Sequence, residues 1–286
     1  MPRPRRAHPD FEPASLYEYP EHLRATLADL PAAPGVYIFH GKEGDLPLYI
    51  GKSVNLRQRV LSHLRTVEEA RMLRQTRRIS HLRTAGGIGA LLLEAQLIKT
   101  QHPLFNQKLR RSRQLCALTL QDGLPRVVEA RQVDFAHTPD LYGLFASRHA
   151  ALDGLRALAD THRLCLGAMG LEKLAPGRPC FRAMVHRCAG VCRGDESLQA
   201  HHDRLAGALR DLALITWPYA GAIGIEEQWE DERQIHVVRN WCYLGSAPTL
   251  AQARALDSVT ASFDADSYKI LCKPILDGSA RLVALD

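Results

Sequence analysis

The sequence contains no long apolar run. Its longest apolar runs are about four residues, such as Ala90, Leu91, Leu92 and Leu93, against the roughly 20 that a membrane-crossing helix needs. No segment is therefore expected to cross a bilayer. The basic start, residues 1–6, is followed by no apolar stretch, which argues against a secretory signal and makes the cytoplasm the expected compartment. No internal repeat and no low-complexity tract is present, which argues against a solenoid or a repetitive linker. No two of the seven cysteines form a CxxC pair. What is there is ordinary globular material: 286 residues, 46% apolar and 24% charged. That composition excludes a wholly disordered or fibrous chain, and the length suits about two domains.

Acidic residues are scarce in one place. Residues 51–115 hold 14 Lys and Arg but only Glu68, Glu69 and Glu94, a local balance of +11. Residues 1–50 carry −2 and residues 116–286 carry −3, so one stretch supplies the whole net charge of +6. A solvated charged face would explain each cation singly. Their confinement to one stretch points instead to a polyanion-binding surface, with nucleic acid the natural candidate.

Pattern and punctuation predict an irregular arm over 1–30 with a short helix at 21–30. A hairpin follows, with strands 36–40 and 46–50 around the turn 41–45. Next come a helix over 54–65 capped by Ser53, an Arg-rich helix over 67–78, a third strand at 79–84, and a helix over 88–100 ended by His102 and Pro103. Beyond these the sequence predicts a strand at 117–120 turning at Asp122 and Gly123, and a helix within 141–161. A helix over 196–215 carries a stripe of Leu198, Leu205, Leu209 and Leu212. Strands and turns then run to the end, with one helix near 249–255. The expected organisation is α+β: an arm (1–30), a small three-stranded domain (31–115), a linker with a cysteine segment (116–195), and an α+β part (196–286).

Closing the hairpin about Glu43 sets Tyr37 opposite Tyr49 on one sheet face, with Val36, Ile38, Leu48 and Ile50 on the other. On the helix that follows, Leu56, Val60, Leu61 and Leu64 form the apolar stripe. Arg59 and His63, four residues apart, border it, and Lys52 lies at the strand–helix hinge. Glu94 is the anomaly. Leu91, Leu97 and Ile98 flank it at −3, +3 and +4, so its carboxylate falls within an apolar stripe. A buried unpaired carboxylate is costly, so a partner is expected: an arginine, a donor network or a metal ion. A hard divalent cation suits such an oxygen ligand.

Four of the seven cysteines cluster as Cys165, Cys180, Cys188 and Cys192. A cytoplasmic setting disfavours a disulfide framework. Four thiols within 28 residues suit zinc or an iron–sulfur cluster, unless they are buried small hydrophobes.

Gly35, Val36 and Tyr37, then Tyr49, Ile50 and Gly51, then Arg59, Glu94 and Asn106, in that order, resemble the GIY-YIG nuclease family. Residues 49–59 are particularly similar to the N-terminal nuclease domain of UvrC proteins. The resemblance implies a small α/β domain with a three-stranded antiparallel sheet and a single divalent metal (Mg or Mn) held by Glu94. It implies that Tyr37 and Tyr49 position or activate the attacking water, that Arg59 stabilises the phosphate, and that Asn106 braces the site. His63 falls where some members carry Tyr and others His, and Lys52 matches a lysine of the UvrC-like branch. A phenol acting as base must have its pKa depressed, a task for Lys52 or a metal-bound water. The segment 179–192 resembles the cysteine segment of UvrC, which implies a 4Fe-4S cluster, with zinc the alternative.

The whole chain, including residues 268–274, resembles short bacterial UvrC homologues. Full UvrC proteins add an RNase H-like nuclease and a helix-hairpin-helix tail, for which 286 residues leave no room. The short homologues also lack the segment that binds UvrB in UvrC. The resemblance implies a monomer that incises damaged double-stranded DNA on the 3′ side of a lesion, within a complex loaded by UvrA and UvrB. Two competing readings are a GIY-YIG nuclease of junction resolution or restriction, and a non-catalytic DNA-binding adaptor. The complete residue set opposes the adaptor, and the cysteine spacing opposes the other nucleases. Asp264 and Asp266 are expected to form a cap or a solvated turn, not a second metal site.

Overall fold

The computed structural model describes residues 20–42, 47–106, 115–175, 178–256 and 262–285. Residues 1–19 of the expected arm, Glu43, Gly44 and Asp45 of the expected turn, and Lys108, Arg110, Arg111 and Arg113 of the basic stretch lie outside the described residues. The chain divides into two compact units: Met1–Arg110 with Gln228–Glu232, and Arg111–Glu227 with Arg233–Asp286. No described helix is long and apolar enough to cross a membrane.

The first unit is built on a three-stranded antiparallel sheet, β1 (Gly35–His40), β2 (Pro47–Ser53) and β3 (Arg78–Arg83), in the order β2-β1-β3. The central strand β1 is buried along its length. One sheet face, with Val36, Ile38 and Ile50, packs against Leu93, Leu97 and Ile98 of α3 (Gly87–Gln101). The other face carries Tyr37 and Phe39. It packs against Leu56, Val60 and Leu64 in and next to α1 (Leu56–His63), and Met72 and Leu73 of α2 (Ala70–Gln75). Burial of these aliphatic and aromatic side chains, at roughly 1.5–3 kcal/mol each, is the driving force of the unit.

The hairpin register differs from the expected one. Tyr37 lies opposite Gly51, and Tyr49 opposite Phe39. The two tyrosines stay on one face because the shift is two residues, a full period of the pleat. Pairing then slips between Phe39 and His40, which leaves Leu48 as the extra residue of a bulge. Leu48 accordingly joins the Tyr37–Phe39 cluster, not the aliphatic face assigned to it from alternation. Helix α1 is capped by Asn55, whose Oδ1 accepts from the Gln58 N–H at 3.0 Å. Ser53, the expected cap, instead bonds the Asn55 backbone. The Arg-rich helix is a single 3-10 turn (Val67–Glu69) followed by the six-residue α2, and the expected helix at 21–30 is a 3-10 helix, Glu21–Leu27.

The second unit begins with β4 (Cys116–Gln121), β5 (Leu124–Glu129) and β6 (Tyr142–Phe145) in the order β5-β4-β6. Asp122 and Gly123, both with positive φ, make the tight turn between β4 and β5. Helix α4 (Arg148–His162) occupies most of the stretch in which a helix was expected, and residues 142–145 before it pair as a strand on β4. The short helix α5 (Phe181–Met184) belongs to the cysteine segment. Helix α6 (Leu198–Arg210) buries Leu205 and Leu209 against Leu118 and Leu155, whereas Leu198 and Leu212 of the expected stripe are exposed. A second antiparallel sheet follows, with β7 (Ile223–Trp229), β8 (Glu232–Arg239) and β9 (Cys242–Ala247), then α7 (Leu250–Ala255), α8 (Ala265–Leu276) and β10 (Arg281–Ala284), in the order β10-β7-β8-β9. Helix α8 was not expected. Its cap is Asp264, which accepts from the Asp266 and Ser267 N–H groups, so that aspartate serves as a cap as anticipated.

Replacing Asn55 by Ala removes the α1 cap and should cost about 1 kcal/mol. Urea unfolding should show a lower midpoint at unchanged slope.

Candidate active site and metal centre

The sheet and α1 bring Tyr37, Tyr49 and His63 to one place. Their ring centroids lie 6.2 Å (Tyr37–Tyr49), 5.2 Å (Tyr37–His63) and 5.5 Å (Tyr49–His63) apart, with Phe39 5.6 Å from His63. The Tyr37 hydroxyl hydrogen-bonds His63 Nε2 at 2.6 Å. His63 is only 3% exposed, whereas Arg59, one turn earlier, is exposed. The two differ in burial, with the imidazole in the core and the guanidinium at the surface, yet both reach the Tyr37 hydroxyl.

Two glycines allow this packing. A Cβ on Gly51 would stand 2.3 Å from the Tyr37 hydroxyl oxygen, so the ring covers bare backbone there. A Cβ on Gly35 would stand 2.2 Å from the Leu82 carbonyl oxygen of β3. Both motif glycines are required by close approach.

Asn106 clamps the outer edge of β2. Its Oδ1 accepts from the Ile50 N–H and its Nδ2 donates to the Ile50 carbonyl, both at 2.8 Å. The Leu104 and Phe105 N–H groups donate to Pro47 and Leu48 beside it. Residues 104–106 therefore satisfy an edge that would otherwise be unpaired.

Glu94 is partly buried on α3, and its Oε1 accepts the Lys52 backbone N–H at 3.1 Å. Burial raises its carboxyl above the usual range, opposed by the Lys52 charge and N–H and by Arg59. Of the partners expected for this acid, it meets a donor and nearby cations. A half-desolvated carboxylate with a single such N–H donor retains ligand capacity for a hard divalent cation, so the residues fit one. The phenols depart from expectation. Burial pushes Tyr37 well above its ordinary value, with Tyr49 adding and Arg59 opposing. Burial, then Glu94, raises Tyr49. Neither is depressed. Burial also lowers His63 despite the nearby Glu69, so the imidazole is neutral at pH 7.

Glu69 is the neighbour that the sequence reading passed over. Its carboxylate hydrogen-bonds His63 Nδ1. The available signal was its rarity, as one of three acids among 14 cations.

In the second unit, the sulfur atoms of Cys165, Cys180, Cys188 and Cys192 all lie within 4.8 Å of one another. Three of the residues are buried. Backbone N–H groups of Cys180, Ala183 and Gly190 point at Sγ of Cys192, Cys180 and Cys188. Such donors stabilise thiolates. Burial nevertheless pushes the Cys180 thiol up to about 12 and raises Cys165. Four converging thiols with N–H donors fit a thiolate-bound metal, which would displace their protons. The Cys165 N–H donates to His201 Nε2 at 3.0 Å, tying this loop to α6.

Family comparison accords with this geometry. Residues 33–107 match the model of the UvrC-like GIY-YIG domain, 114–211 the middle domain of the UvrC/Cho excinuclease, and 222–286 the Excinuclease Cho C-terminal domain. Excinuclease cho of Escherichia coli strain K12 is 55% identical over 277 residues, covering 97% of this chain and 94% of that protein. The chain belongs to the Cho excinuclease family. The Cho family shares its first two parts with UvrC: the UvrABC system protein C of Caldicellulosiruptor saccharolyticus is 31% identical over 198 residues, 67% of this chain and 33% of its own length. Among solved structures, the magnesium-bound GIY-YIG N-terminal endonuclease domain of Thermotoga maritima UvrC is 34% identical, covering 30% of this chain and 97% of that one, at a TM-score of 0.27. The chain is thus a DNA endonuclease, a hydrolase of the GIY-YIG type, as its motifs implied.

Gly51→Ala should displace the Tyr37 ring and so unseat His63. Loss of nicking in a protein that retains helical circular dichroism is the expected result, with a lowered thermal midpoint.

Proposed function

We propose that this chain hydrolyses one phosphodiester on the 3′ side of a DNA lesion, in the cytoplasm, on damaged duplex loaded by UvrA and UvrB. The observation that carries this reading is the convergence of Tyr37, Tyr49, Lys52, Arg59, His63 and Glu94 around the β1–β2 edge, in a family of excision-repair nucleases. In this reading Glu94 holds a magnesium or manganese ion, which supplies Lewis-acid polarisation of the phosphate. Arg59 lies at the surface, beside Tyr37, where it can neutralise charge developing on the phosphate. Lys52 contributes a second cation next to Glu94. Tyr49, less buried than Tyr37, orients the attacking water, and Tyr37 with His63 holds Tyr49 in place. Asn106 fixes the edge of β2 on which Tyr49 and Lys52 sit. The exposed cations Arg57, Arg65, Arg71, Arg74, Arg77 and Arg83 would draw the phosphate backbone to this unit.

We also propose that the four cysteines hold a 4Fe-4S cluster with a structural or DNA-sensing role, since the nuclease groups lie elsewhere in the chain. One observation favours zinc. A tetrahedral ion with Zn–S near 2.3 Å places its sulfurs about 3.8 Å apart, close to the 3.5 and 3.8 Å of Cys180 to Cys192 and to Cys165. An iron–sulfur cube needs them further apart.

Nicking of a lesion-bearing duplex with UvrA, UvrB, ATP and magnesium tests the activity. Glu94→Gln and Arg59→Ala should abolish it with the fold intact; a variant that nicks as wild type refutes the site. Glu94 has a raised folded pKa, so its charged form opposes folding. That penalty is absent below the unfolded value and fully present above the folded one. Glu94→Gln should therefore melt higher than wild type in EDTA at pH 7 and lose the shift that magnesium or manganese produces. Anaerobic purification followed by iron, sulfide and zinc analysis separates the two centres: a brown protein with four irons supports the cluster, and a colourless one with a single zinc overturns it.

A further inference from the structure

Glu69 has no part in the reading above, yet it is in direct contact with the site. It stands on the turn between α1 and α2, and its carboxylate is hydrogen-bonded to Nδ1 of the buried His63. A carboxylate only accepts, so Nδ1 carries the proton in this pair. In a neutral imidazole the other nitrogen is then an acceptor. What faces it, at 2.6 Å, is the Tyr37 hydroxyl, which must donate. The three groups have one self-consistent proton arrangement: Tyr37 O–H to His63 Nε2, and His63 Nδ1–H to Glu69.

The order carboxylate–imidazole–hydroxyl is the one that fixes a histidine tautomer in serine hydrolases, here with a phenol at its end. A carboxylate that orients a functional histidine is also a recurrent device at metal sites. We propose that Glu69 is a positioning residue for phosphodiester hydrolysis: it locks His63 in the Nδ1–H tautomer, so that His63 accepts from Tyr37 and the phenol oxygen's lone pairs are turned toward donors on the reaction side, Arg59 among them.

The environment of His63 is consistent with this role. Tyr37 and Phe39 face it from β1, Tyr49 from β2, Glu69 from the turn and Arg59 from its own helix. Burial and Arg59 disfavour the imidazolium, and Glu69 favours it. With burial dominant, the ring stays neutral and its Nε2 stays an acceptor. Protonation would make both nitrogens donors and break the link to Tyr37. Activity should therefore have an acid limb governed by His63, and removing the Glu69 charge should move that limb to lower pH.

The inference rests on the nuclease reading, so wild-type nicking is measured first; a wild type that nicks nothing overturns both together. Given an active wild type, the test is the pH–rate profile of Glu69→Gln and Glu69→Asp, with nitrogen-15 NMR of histidine-labelled protein and the His63 signal assigned by His63→Gln. Expected are a His63 protonated on Nδ1 at pH 8, and a loss of about ten- to hundredfold in kcat for Glu69→Gln at unchanged KM, by analogy with other orienting carboxylates. Its acid limb should shift down in pH, and Glu69→Asp should recover most of the rate. Thermal melts separate these effects from misfolding. A wild-type His63 protonated on Nε2, or a Glu69→Gln variant with the wild-type profile, overturns the proposal.

Discussion

The Tyr37 ring lies against the bare backbone of Gly51, closely enough that one added carbon would stand 2.3 Å from its hydroxyl oxygen. That contact sets where the phenol ends, and the rest of the site follows from it. The hydroxyl reaches His63, and His63 reaches Glu69. Tyr49 is left beside the same imidazole on the neighbouring strand. Interiors packed at crystal density transmit such displacements instead of absorbing them. The glycine of the second motif is therefore as much a part of the site's geometry as the tyrosine before it.

The first unit separates two demands. Its core face is aromatic and hydrogen-bonded, with Tyr37, Phe39 and His63 held rigid among leucines. Its opposite face packs the aliphatic Val36, Ile38 and Ile50 against α3, the helix that presents Glu94. The carboxylate thus comes from one side of the sheet and the phenols from the other, and they meet at the β2 edge clamped by Asn106. Sites mounted on such braced elements hold their geometry better than sites on loops. Burial places the carboxyl and both phenols above their ordinary values, a direction that favours accepting a cation at Glu94 and disfavours any free phenolate.

Much of this was legible in the sequence. The three strands, α3 and the face shared by Tyr37 and Tyr49 follow from period-two and period-3.6 patterning, which are local properties. Glu94 stood out because a carboxylate in an apolar stripe contradicts its surroundings. Errors arose where the deciding partner was distant in sequence or where polar residues compete locally. The bulge at Leu48 depends on pairing with β1, and residues 142–145 became a strand only because β4 lay available beside them. Ser53 and Asn55 are both good caps, and only the backbone path chose between them. Helix α8 carries a proline, Pro274, near its end, which hid it among strands and turns.

The sequence by itself determined the ingredients: a +11 stretch around one misplaced acid, two paired tyrosines, four cysteines in 28 residues, and a motif order resembling UvrC nucleases. Those are statements about identity and spacing, which a chain carries without folding. The tertiary structure decided the direction of every interaction. It buried His63 and exposed Arg59, although both sit on one helix within a single turn. It brought the four sulfurs within 4.8 Å, and it delivered Glu69 to the imidazole. Such contacts join residues on different elements, and only packing fixes which donor meets which acceptor.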